Sequence, residues 1–144
     1  MTARSSAQEL VHASCVAFEG KGLLLIGPSG SGKSVLALHL MSLGASLVSD
    51  DQTLIEAVDG RLVARAPDTI RGLVEARFLG LLSVPSIAQA TVMAVVDLAR
   101  TETERLPPER KICLAGVECS LVYGSDPSHL AHGLRCLALF GRGS

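Results

Sequence analysis

Residues 27–34 constrain what this chain can fold into more than any other stretch. They read G-P-S-G-S-G-K-S and fit the spacing G-x-x-x-x-G-K-S. The apolar run 22–26 before them has the length of a strand, and residues 35–43 after them have helical spacing that ends at Gly44. A strand, a glycine-rich loop and a helix in this order form a phosphate-binding loop, or P-loop. The predicted binding residues are Gly27, Pro28, Ser29, Gly30, Ser31, Gly32, Lys33 and Ser34.

The residue types of this loop suit a nucleotide and its metal ion. Glycines let the backbone curl so that successive N–H groups point at one anion, and the start of the following helix adds the positive end of its dipole. Lys33 is placed to reach the β- and γ-phosphates, and the Ser34 hydroxyl to ligate Mg²⁺. A plain Gly/Ser turn is the alternative, but the spacing, the lysine, the serine and the context all favour a site for ATP and Mg²⁺.

Composition excludes several classes of protein. The chain has 144 residues, which suits one domain, and 48% of them are hydrophobic. Lys and Arg number 13 against 14 acidic residues, and 3% of the chain is aromatic. The chain therefore has neither the excess of positive charge nor the aromatic side chains that would favour binding of nucleic acid. No apolar run approaches membrane-span length, so we expect a cytoplasmic protein with no membrane segment. Four scattered cysteines are expected to be free, mostly buried thiols: Cys15, Cys113, Cys119 and Cys136.

Apolar runs and turn residues predict the other elements. Asp59-Gly60 lies between two short apolar runs, which is a strong signal for a β-hairpin. Asp126-Pro127 is typical of a helix start. The predicted strands are residues 10–18, 22–26, 45–49, 53–58, 61–65, 91–98, 112–114 and 117–122, and the predicted helices are residues 35–43, 69–77 and 128–140. We expect the first two strands to pair antiparallel and residues 91–98 to lie centrally. The fold class is therefore α/β, a mixed sheet with an early β-hairpin and a C-terminal helix.

Three acidic residues are candidates for work on the phosphate. A kinase needs an acid near the γ-phosphate to accept a proton or hold Mg²⁺. Asp50 and Asp51 follow the strand 45–49, at the sheet edge where ligands bind in α/β proteins. Asp97 follows the apolar residues 92–96 and resembles the aspartate of a Walker B strand. A polar cap at the end of a strand is the alternative for both places.

Four further side chains are candidates. His12 lies in the strand beside the loop strand, near its loop end; an ordinary core or edge histidine is the alternative. Glu75 and Arg77 are two residues apart, so in an extended chain they point to the same side. There Glu75 could ligate Mg²⁺ and Arg77 could neutralise the transferred phosphate; a solvated ion pair is the alternative. Arg105 lies in the charged stretch 100–111, where plain surface charge is the alternative.

These pieces together resemble the catalytic domain of HPr kinase/phosphorylase. His12 precedes the loop as the family's catalytic histidine does, and the loop has the family's G-x-S-G-x-G-K-S form. Residues 47–51, L-V-S-D-D, match its apolar-x-Asp-Asp. Residues 74–81, V-E-A-R-F-L-G-L, match its E-x-R-G-L-G-I, with Phe78 in place of glycine. The resemblance covers residues 10–123 and is to the short proteobacterial form, which lacks the N-terminal domain.

The resemblance implies an activity and a set of roles. The family phosphorylates a serine of HPr, the phosphocarrier protein of the sugar phosphotransferase system, and can also remove that phosphate. By resemblance, one aspartate of Asp50-Asp51 is the general base, and Ser34 and Glu75 hold Mg²⁺. The residues expected to stabilise phosphoryl charge are Lys33, His12 and Arg105, the last in E-R-L like the family's D-R-L. The fold is expected to resemble that of phosphoenolpyruvate carboxykinase, and the chain to form a homo-oligomer, a hexamer.

The predicted organisation is a disordered lead-in at 1–8, a P-loop kinase domain at 9–140 and a tail at 141–144. Two other functions remain open at this point. One is a nucleotide-binding regulatory module without transfer activity. The other is a small-molecule P-loop kinase, which would need an arginine-rich lid; residues 100–110 are the candidate, and two prolines interrupt them.

Overall fold

The computed structural model describes residues 8–143. Residues 1–7 of the predicted lead-in and residue 144 of the predicted tail lie outside the described residues. The strands are β1 Glu9–Val11, β2 Ala13–Phe18, β3 Lys21–Ile26, β4 Ser46–Ser49, β5 Thr53–Val58, β6 Arg61–Arg65, β7 Leu73–Ala76, β8 Gly80–Ser83, β9 Ala90–Thr101, β10 Lys111–Leu114 and β11 Val117–Gly124. The helices are α1 Lys33–Ser42 and α2 Pro127–Phe140, and a 3₁₀ turn spans Asp68–Ile70.

Nine of the described strands form one mixed sheet. Its order is β1-β5-β6-β9-β3-β2-β4, and the β10–β11 hairpin joins where β11 runs parallel to the second half of β9. β3 runs parallel to β9 on the other side, with Ile26 opposite Asp97. The predicted central strand is therefore confirmed. As a consequence, the carboxyl ends of β3, β9 and β11 meet at one edge of the sheet.

The apolar core lies on both faces of this sheet. Leu23 and Leu25 of β3 face the side covered by α1 and α2, and Leu24 faces the opposite side. Period-two alternation produces this division, and burial on both faces explains why the run is apolar throughout. The two helices also contact each other, since Arg135 Nε donates to the carbonyl oxygen of Leu43 at 3.1 Å.

Several local predictions are confirmed. β2 and β3 pair antiparallel, and β5 and β6 form the hairpin around Asp59 and Gly60, which both have positive φ as a type I′ turn requires. The predicted role of Gly44 at the end of helix α1 is confirmed, since Gly44 directly follows the C-cap residue Leu43. The Gly44 N–H donates to Met41 at 3.0 Å and the Ala45 N–H to Leu40 at 3.1 Å, the two bonds of a Schellman motif.

The predicted short helix at 69–77 is wrong. Its first residues belong to the 3₁₀ turn, and residues 73–76 form β7, which pairs antiparallel with β8 as a separate two-stranded sheet. Gly72 interrupts the segment at φ 78°, and the following residues alternate, with Val74 and Ala76 buried and Glu75 exposed. That period of two is the period of a strand.

Three other expectations need adjustment. The predicted strand 10–18 divides at His12, because β1 pairs with β5 whereas β2 pairs with β3 and β4. The predicted thiol burial is right for Cys15 and Cys119 and wrong for Cys113 and Cys136, which are exposed. The central strand is longer than predicted and extends to Thr101.

Among the described helices, none has the length and hydropathy needed to cross a membrane.

Candidate active site

The phosphate loop joins β3 to α1 through a backbone that needs glycine. Gly27 has φ 145°, and a Cβ there would lie 2.6 Å from Ser31 Oγ. Gly32 has φ 101° and is the N-cap of α1, so it brings no side chain of its own to the first helical N–H groups. Free amides at a helix N-terminus attract anions. The loop therefore presents main-chain donors to a phosphate.

Lys33 lies within this loop and is almost fully buried. Its ammonium donates to the carbonyl oxygens of Gly27 at 2.7 Å and Pro28 at 3.0 Å. An ammonium group has three N–H donors, so one remains for a phosphate oxygen. These two carbonyl oxygens hold the Lys33 ammonium in the loop, where Lys33 lines the pocket.

Asp50 connects three elements of the site. Its Oδ1 accepts from the hydroxyls of Ser34, at 2.8 Å, and Ser14, at 2.9 Å. Its Oδ2 accepts from the main-chain N–H of Glu75 at 3.1 Å. The residue is only 7% exposed, and hydrogen bonds to a charged acceptor are stronger than neutral ones. This carboxylate therefore fixes α1, β2 and β7 relative to one another.

Asp51 has a different environment. Its side chain is 63% exposed, and its Oδ1 lies 2.7 Å from His12 Nε2. Its N–H donates to Ser14 Oγ at 2.9 Å, and its backbone is left-handed at φ 67°. Such a conformation costs a non-glycine residue about 1–3 kcal/mol and is common at functional sites. The structure thus holds an accessible carboxylate, paired with a histidine, next to a buried one.

These groups surround a pocket of about 450 Å³. Most of the residues predicted from the sequence line it, together with Val35 and Leu38 of α1. The lining is Ser29, Gly30, Gly32, Lys33, Ser34, Val35, Leu38, Asp50, Asp51, Glu75 and Arg77. The loop, the acidic pair and the Glu75–Arg77 pair therefore meet at one place, as a site for a nucleotide's terminal phosphates requires.

The other predicted residues are not part of the lining of this pocket. The carbonyl oxygens of Gly27 and Pro28 accept hydrogen bonds from Lys33. Ser31 lines a neighbouring cavity, and His12 contacts Asp51. Arg105 is exposed in the loop between β9 and β10 and is outside the lining. The catalytic roles of all these residues stay predictions.

Asp97 has a local role in the structure. It lies opposite Ile26 on β9, and its Oδ1 accepts from the N–H of Ala99 at 2.9 Å. Its other oxygen is 3.6 Å from Arg100 Nε. Both contacts stay within β9, which continues to Thr101, so Asp97 lies inside this strand and the expected strand-end position is wrong.

Ser14 is a site residue that sequence reasoning missed. Its hydroxyl donates to Asp50 and accepts from the Asp51 N–H, and it is fully buried in β2. The sequence signal was a small hydroxyl residue inside an otherwise apolar strand, two residues after His12. A buried hydroxyl needs hydrogen-bond partners, and these partners come from a distant segment.

The oxygen ligands of this pocket suit a magnesium ion. No group of three His, Cys, Asp or Glu side chains that could hold a metal occurs within residues 8–143. Magnesium in nucleotide sites is commonly held by one or two protein oxygens together with phosphates and water. Ser34 Oγ and the Glu75 carboxylate, both in the pocket lining, are donors of that kind.

Comparison with known sequences gives three findings. The family model for the HPr Serine kinase C-terminal domain matches residues 3–101. The HPr kinase/phosphorylase of Clostridium tetani is 40% identical over 77 residues, which cover 54% of this chain and 25% of that protein. The enzyme of the same name from Leptothrix cholodnii is 40% identical over 103 residues, covering 62% of this chain and 32% of that protein.

The fold also has a solved counterpart. The Hpr(Ser) kinase/phosphatase from Coxiella burnetii superposes with a TM-score of 0.74 over 88% of this chain and 94% of that chain, at 20% sequence identity. This likeness concerns the α/β fold, its mixed sheet and its C-terminal helix. The chain spans about a quarter to a third of the length of the curated relatives described above.

Proposed function

Because this chain belongs to the HPr serine kinase C-terminal domain family, we propose that it is a protein serine kinase that uses ATP and Mg²⁺ to phosphorylate HPr. HPr is the phosphocarrier protein of the sugar phosphotransferase system, and the curated relatives carry the name HPr kinase/phosphorylase. One observation carries the proposal. The acidic pair lies beside the phosphate loop, with Asp50 bonded directly to Ser34 of that loop.

The different environments of the two aspartates support a division of roles. Asp50 is buried, and both its oxygens accept hydrogen bonds from the protein. The Asp51 side chain is exposed, and its Oδ1 contacts His12 Nε2. Its Oδ2 is therefore available to an incoming hydroxyl. A general base must reach the proton that it removes. Asp51 is therefore the proposed base, and Asp50 the residue that positions the Ser34 hydroxyl.

The proposed reaction moves the γ-phosphoryl group of ATP to a serine of HPr. The serine hydroxyl of HPr loses its proton to Asp51, its oxygen bonds to the γ-phosphorus, and the bond from that phosphorus to the β–γ bridging oxygen breaks to leave ADP. Mg²⁺, when bound, neutralises charge on the phosphates, and Ser34 and Glu75 would hold it. Lys33, Arg77, His12 and Arg105 are the proposed stabilisers of phosphoryl charge.

Further parts of the proposal follow from the family. They include removal of phosphate from HPr by the same site, a cytoplasmic location and a homo-oligomer, a hexamer by resemblance. Residues 9–140 would form the kinase domain. The β2–β3 hairpin and the parallel β3–β9 pair support a fold like that of phosphoenolpyruvate carboxykinase.

The test is phosphotransfer to purified HPr with labelled ATP and Mg²⁺, read as serine phosphate on HPr. Asp51→Asn should lower kcat by about 10²–10⁴-fold, the usual contribution of a general base, and leave ATP affinity within about twofold. Asp59→Asn is the matched control, because Asp59 is exposed in the β5–β6 turn, where asparagine also tolerates positive φ. Its kcat should equal that of the wild type.

Two outcomes would overturn the proposal. Folded protein that binds ATP but never labels HPr would refute the kinase activity and support the nucleotide-binding regulatory module instead. Full activity in Asp51→Asn combined with lost activity in Asp50→Asn would refute the division of roles. A screen of nucleosides and small acids as acceptors would detect a small-molecule kinase.

A further inference from the structure

The connection between β9 and β10 is an exposed loop whose two ends are bonded to each other. Residues 103–109 are all exposed, whereas Glu102 and Arg110, which flank them, are partly buried. The Arg110 guanidinium donates twice to the Glu102 carboxylate, from Nε to Oε1 at 3.2 Å and from Nη2 to Oε2 at 3.0 Å. Two such bonds fix the relative orientation of the groups as well as their distance. This ion pair therefore closes the stem of the loop.

Tyr123 of β11 packs against the same ion pair. The guanidinium carbon of Arg110 lies 4.2 Å from the centroid of the Tyr123 ring, within the range of a cation–π contact. Glu102 is bonded to β11 as well, since its N–H donates to the carbonyl oxygen of Gly124 at 2.8 Å. Side-chain exposure is only 13% for Glu102 and 24% for Arg110, so water and salt screen this pair less than an open surface pair. These three side chains, Glu102, Arg110 and Tyr123, form what we call the loop clamp.

The loop clamp lies at the edge of the sheet that carries the phosphate loop. Thr101 ends β9 and Gly124 ends β11, and both strands run parallel to β3, whose carboxyl end leads into the phosphate loop. Thr101 directly precedes the clamp residue Glu102. It lines a cavity together with Ser31 and Gly32 of the phosphate loop. The exposed loop therefore begins beside the phosphate site.

The exposed loop carries one cation, Arg105, and depends on its ends for its position. Arg105 is exposed, and the next residue, Leu106, is 86% exposed. Glu102 Oε2 also accepts from the main-chain N–H groups of Thr103 and Glu104, at 3.1 Å and 3.2 Å. The clamp thus fixes the chain up to the residue before Arg105. A loop that buries so little of its own surface is held in place by such bonds at its stem.

We propose that the loop clamp positions Arg105 against the terminal phosphate of the bound nucleotide, which makes Glu102, Arg110 and Tyr123 positioning residues for phosphoryl transfer. The inference rests on the proposed function, which assigns Arg105 to stabilising phosphoryl charge, and it adds what holds Arg105 in place. A charge stabiliser accelerates transfer only when it is held at the reacting phosphate, and a misplacement of about 1 Å can cost about 10²-fold in rate. A fixed stem reduces the number of positions open to the loop before the nucleotide binds.

The first test is a set of double-mutant cycles in the transfer of phosphate from ATP to HPr. Glu102→Ala and Tyr123→Leu should each lower kcat about tenfold, with less than about a threefold change in the KM for ATP. Tyr123→Phe keeps the ring that faces Arg110, so its kcat should stay within about twofold of the wild type. In the Arg105→Ala background, Glu102→Ala and Tyr123→Leu should lower kcat by less than about twofold, because there is no guanidinium left to position.

The second test needs no HPr. The affinities for ATP and ADP, each with Mg²⁺, are measured by calorimetry on the full chain. The ratio of ATP affinity to ADP affinity should fall about threefold in Arg105→Ala, Glu102→Ala and Tyr123→Leu, as expected for the loss of one exposed charge contact to the terminal phosphate. ADP lacks that phosphate, so ADP affinity should stay within about twofold in all three variants, which also shows that they are folded.

The matched control is Asp68→Asn, which breaks another ion pair, that of Arg71 Nη2 with Asp68 Oδ1 at 3.0 Å. Asp68 is outside the lining of the phosphate pocket, and the variant should keep both the kcat and the affinity ratio of the wild type. Wild-type kcat in both Glu102→Ala and Tyr123→Leu would overturn the proposal. Losses that add in full to the loss in Arg105→Ala would also overturn it, since they would show a merely structural role.

The outcomes also separate this proposal from the proposed function. If HPr is not phosphorylated but the ratio of ATP to ADP affinity falls as expected, the kinase activity is wrong and the loop clamp stands. If HPr is phosphorylated and the clamp variants match the wild type in both tests, the loop clamp is wrong and the kinase stands. If neither ATP nor ADP binds, both proposals are wrong.

Discussion

Replacing Ser14 by alanine should loosen the acidic pair and destabilise the whole domain. The Ser14 hydroxyl is fully buried, donates to Asp50 Oδ1 at 2.9 Å and accepts from the Asp51 N–H at 2.9 Å. Alanine has nearly the same size but can do neither. The change therefore tests the hydrogen bonds and creates almost no cavity.

The size of the effect follows from the two bonds. A hydrogen bond to a charged group contributes about 1.5–3 kcal/mol, and a bond such as that of the partly buried Asp51 N–H contributes about 0.5–1.5 kcal/mol. Asp50 keeps the Ser34 hydroxyl and the Glu75 N–H as donors, which favours the lower half of the combined range. We expect the free energy of unfolding to fall by about 3 kcal/mol.

Urea unfolding measures this change. With a slope of about 2 kcal/mol per molar urea, a loss of about 3 kcal/mol lowers the midpoint by about 1.5 M. The matched control is Ser42→Ala, because the Ser42 hydroxyl is exposed and donates to the nearby carbonyl oxygen of His39 in α1. Its effect should stay below about 0.5 kcal/mol. Equal midpoints for the two variants would refute the role of Ser14.

Three further predictions concern other parts of the chain. Phe78→Gly should stabilise the protein by about 0.5–1 kcal/mol in urea unfolding, since Phe78 is 96% exposed at φ 73° and glycine relieves the backbone strain; a loss of stability would contradict this. Burial raises the pKa of the Cys15 thiol to about 12, so at pH 8 a thiol reagent should label exposed Cys113 in the native protein and Cys15 only after unfolding, as mapped by mass spectrometry; equal labelling would contradict this. The hydrogen bond from Arg110 lowers the pKa of Glu102 below its ordinary 4.5, so the carboxylate stabilises the fold above that value and ceases to do so as pH falls through its lowered pKa. The stability difference between wild type and Glu102→Gln should therefore be constant from about pH 7 to about pH 5.5 and shrink in more acidic urea titrations; a difference that does not change with pH would show that this ion pair contributes nothing.

Local signals made much of the site predictable. The strand, loop and helix around residues 27–34 follow from glycine spacing and apolar periodicity, which depend on neighbours in the chain. The position of Asp50 and Asp51 follows from a second rule, that ligands collect at one edge of an α/β sheet. Both inferences use residue types at fixed spacing, and the structure brings these residues to one pocket.

Long-range partners explain what the sequence did not reveal. Residues 69–77 have mixed helical and strand preferences, and their conformation is decided by pairing of β7 with β8 and by the bond from the Glu75 N–H to Asp50. The break at His12 arises because β1 and β2 have different partner strands. The role of Ser14 depends on Asp50, which is 36 residues away in the chain, so the residues around Ser14 do not reveal it.

The exposed turn of the β7–β8 hairpin leaves part of this chain free to diverge in evolution. Phe78 and Leu79 contribute little buried surface, so drift at these positions costs the fold little. Glu75 in β7 and Arg77 in the turn itself line the pocket beside the loop of residues 27–34. One short hairpin therefore carries pocket-lining residues next to an exposed apolar tip, so a substitution at the tip can change the rim of the pocket without changing its lining.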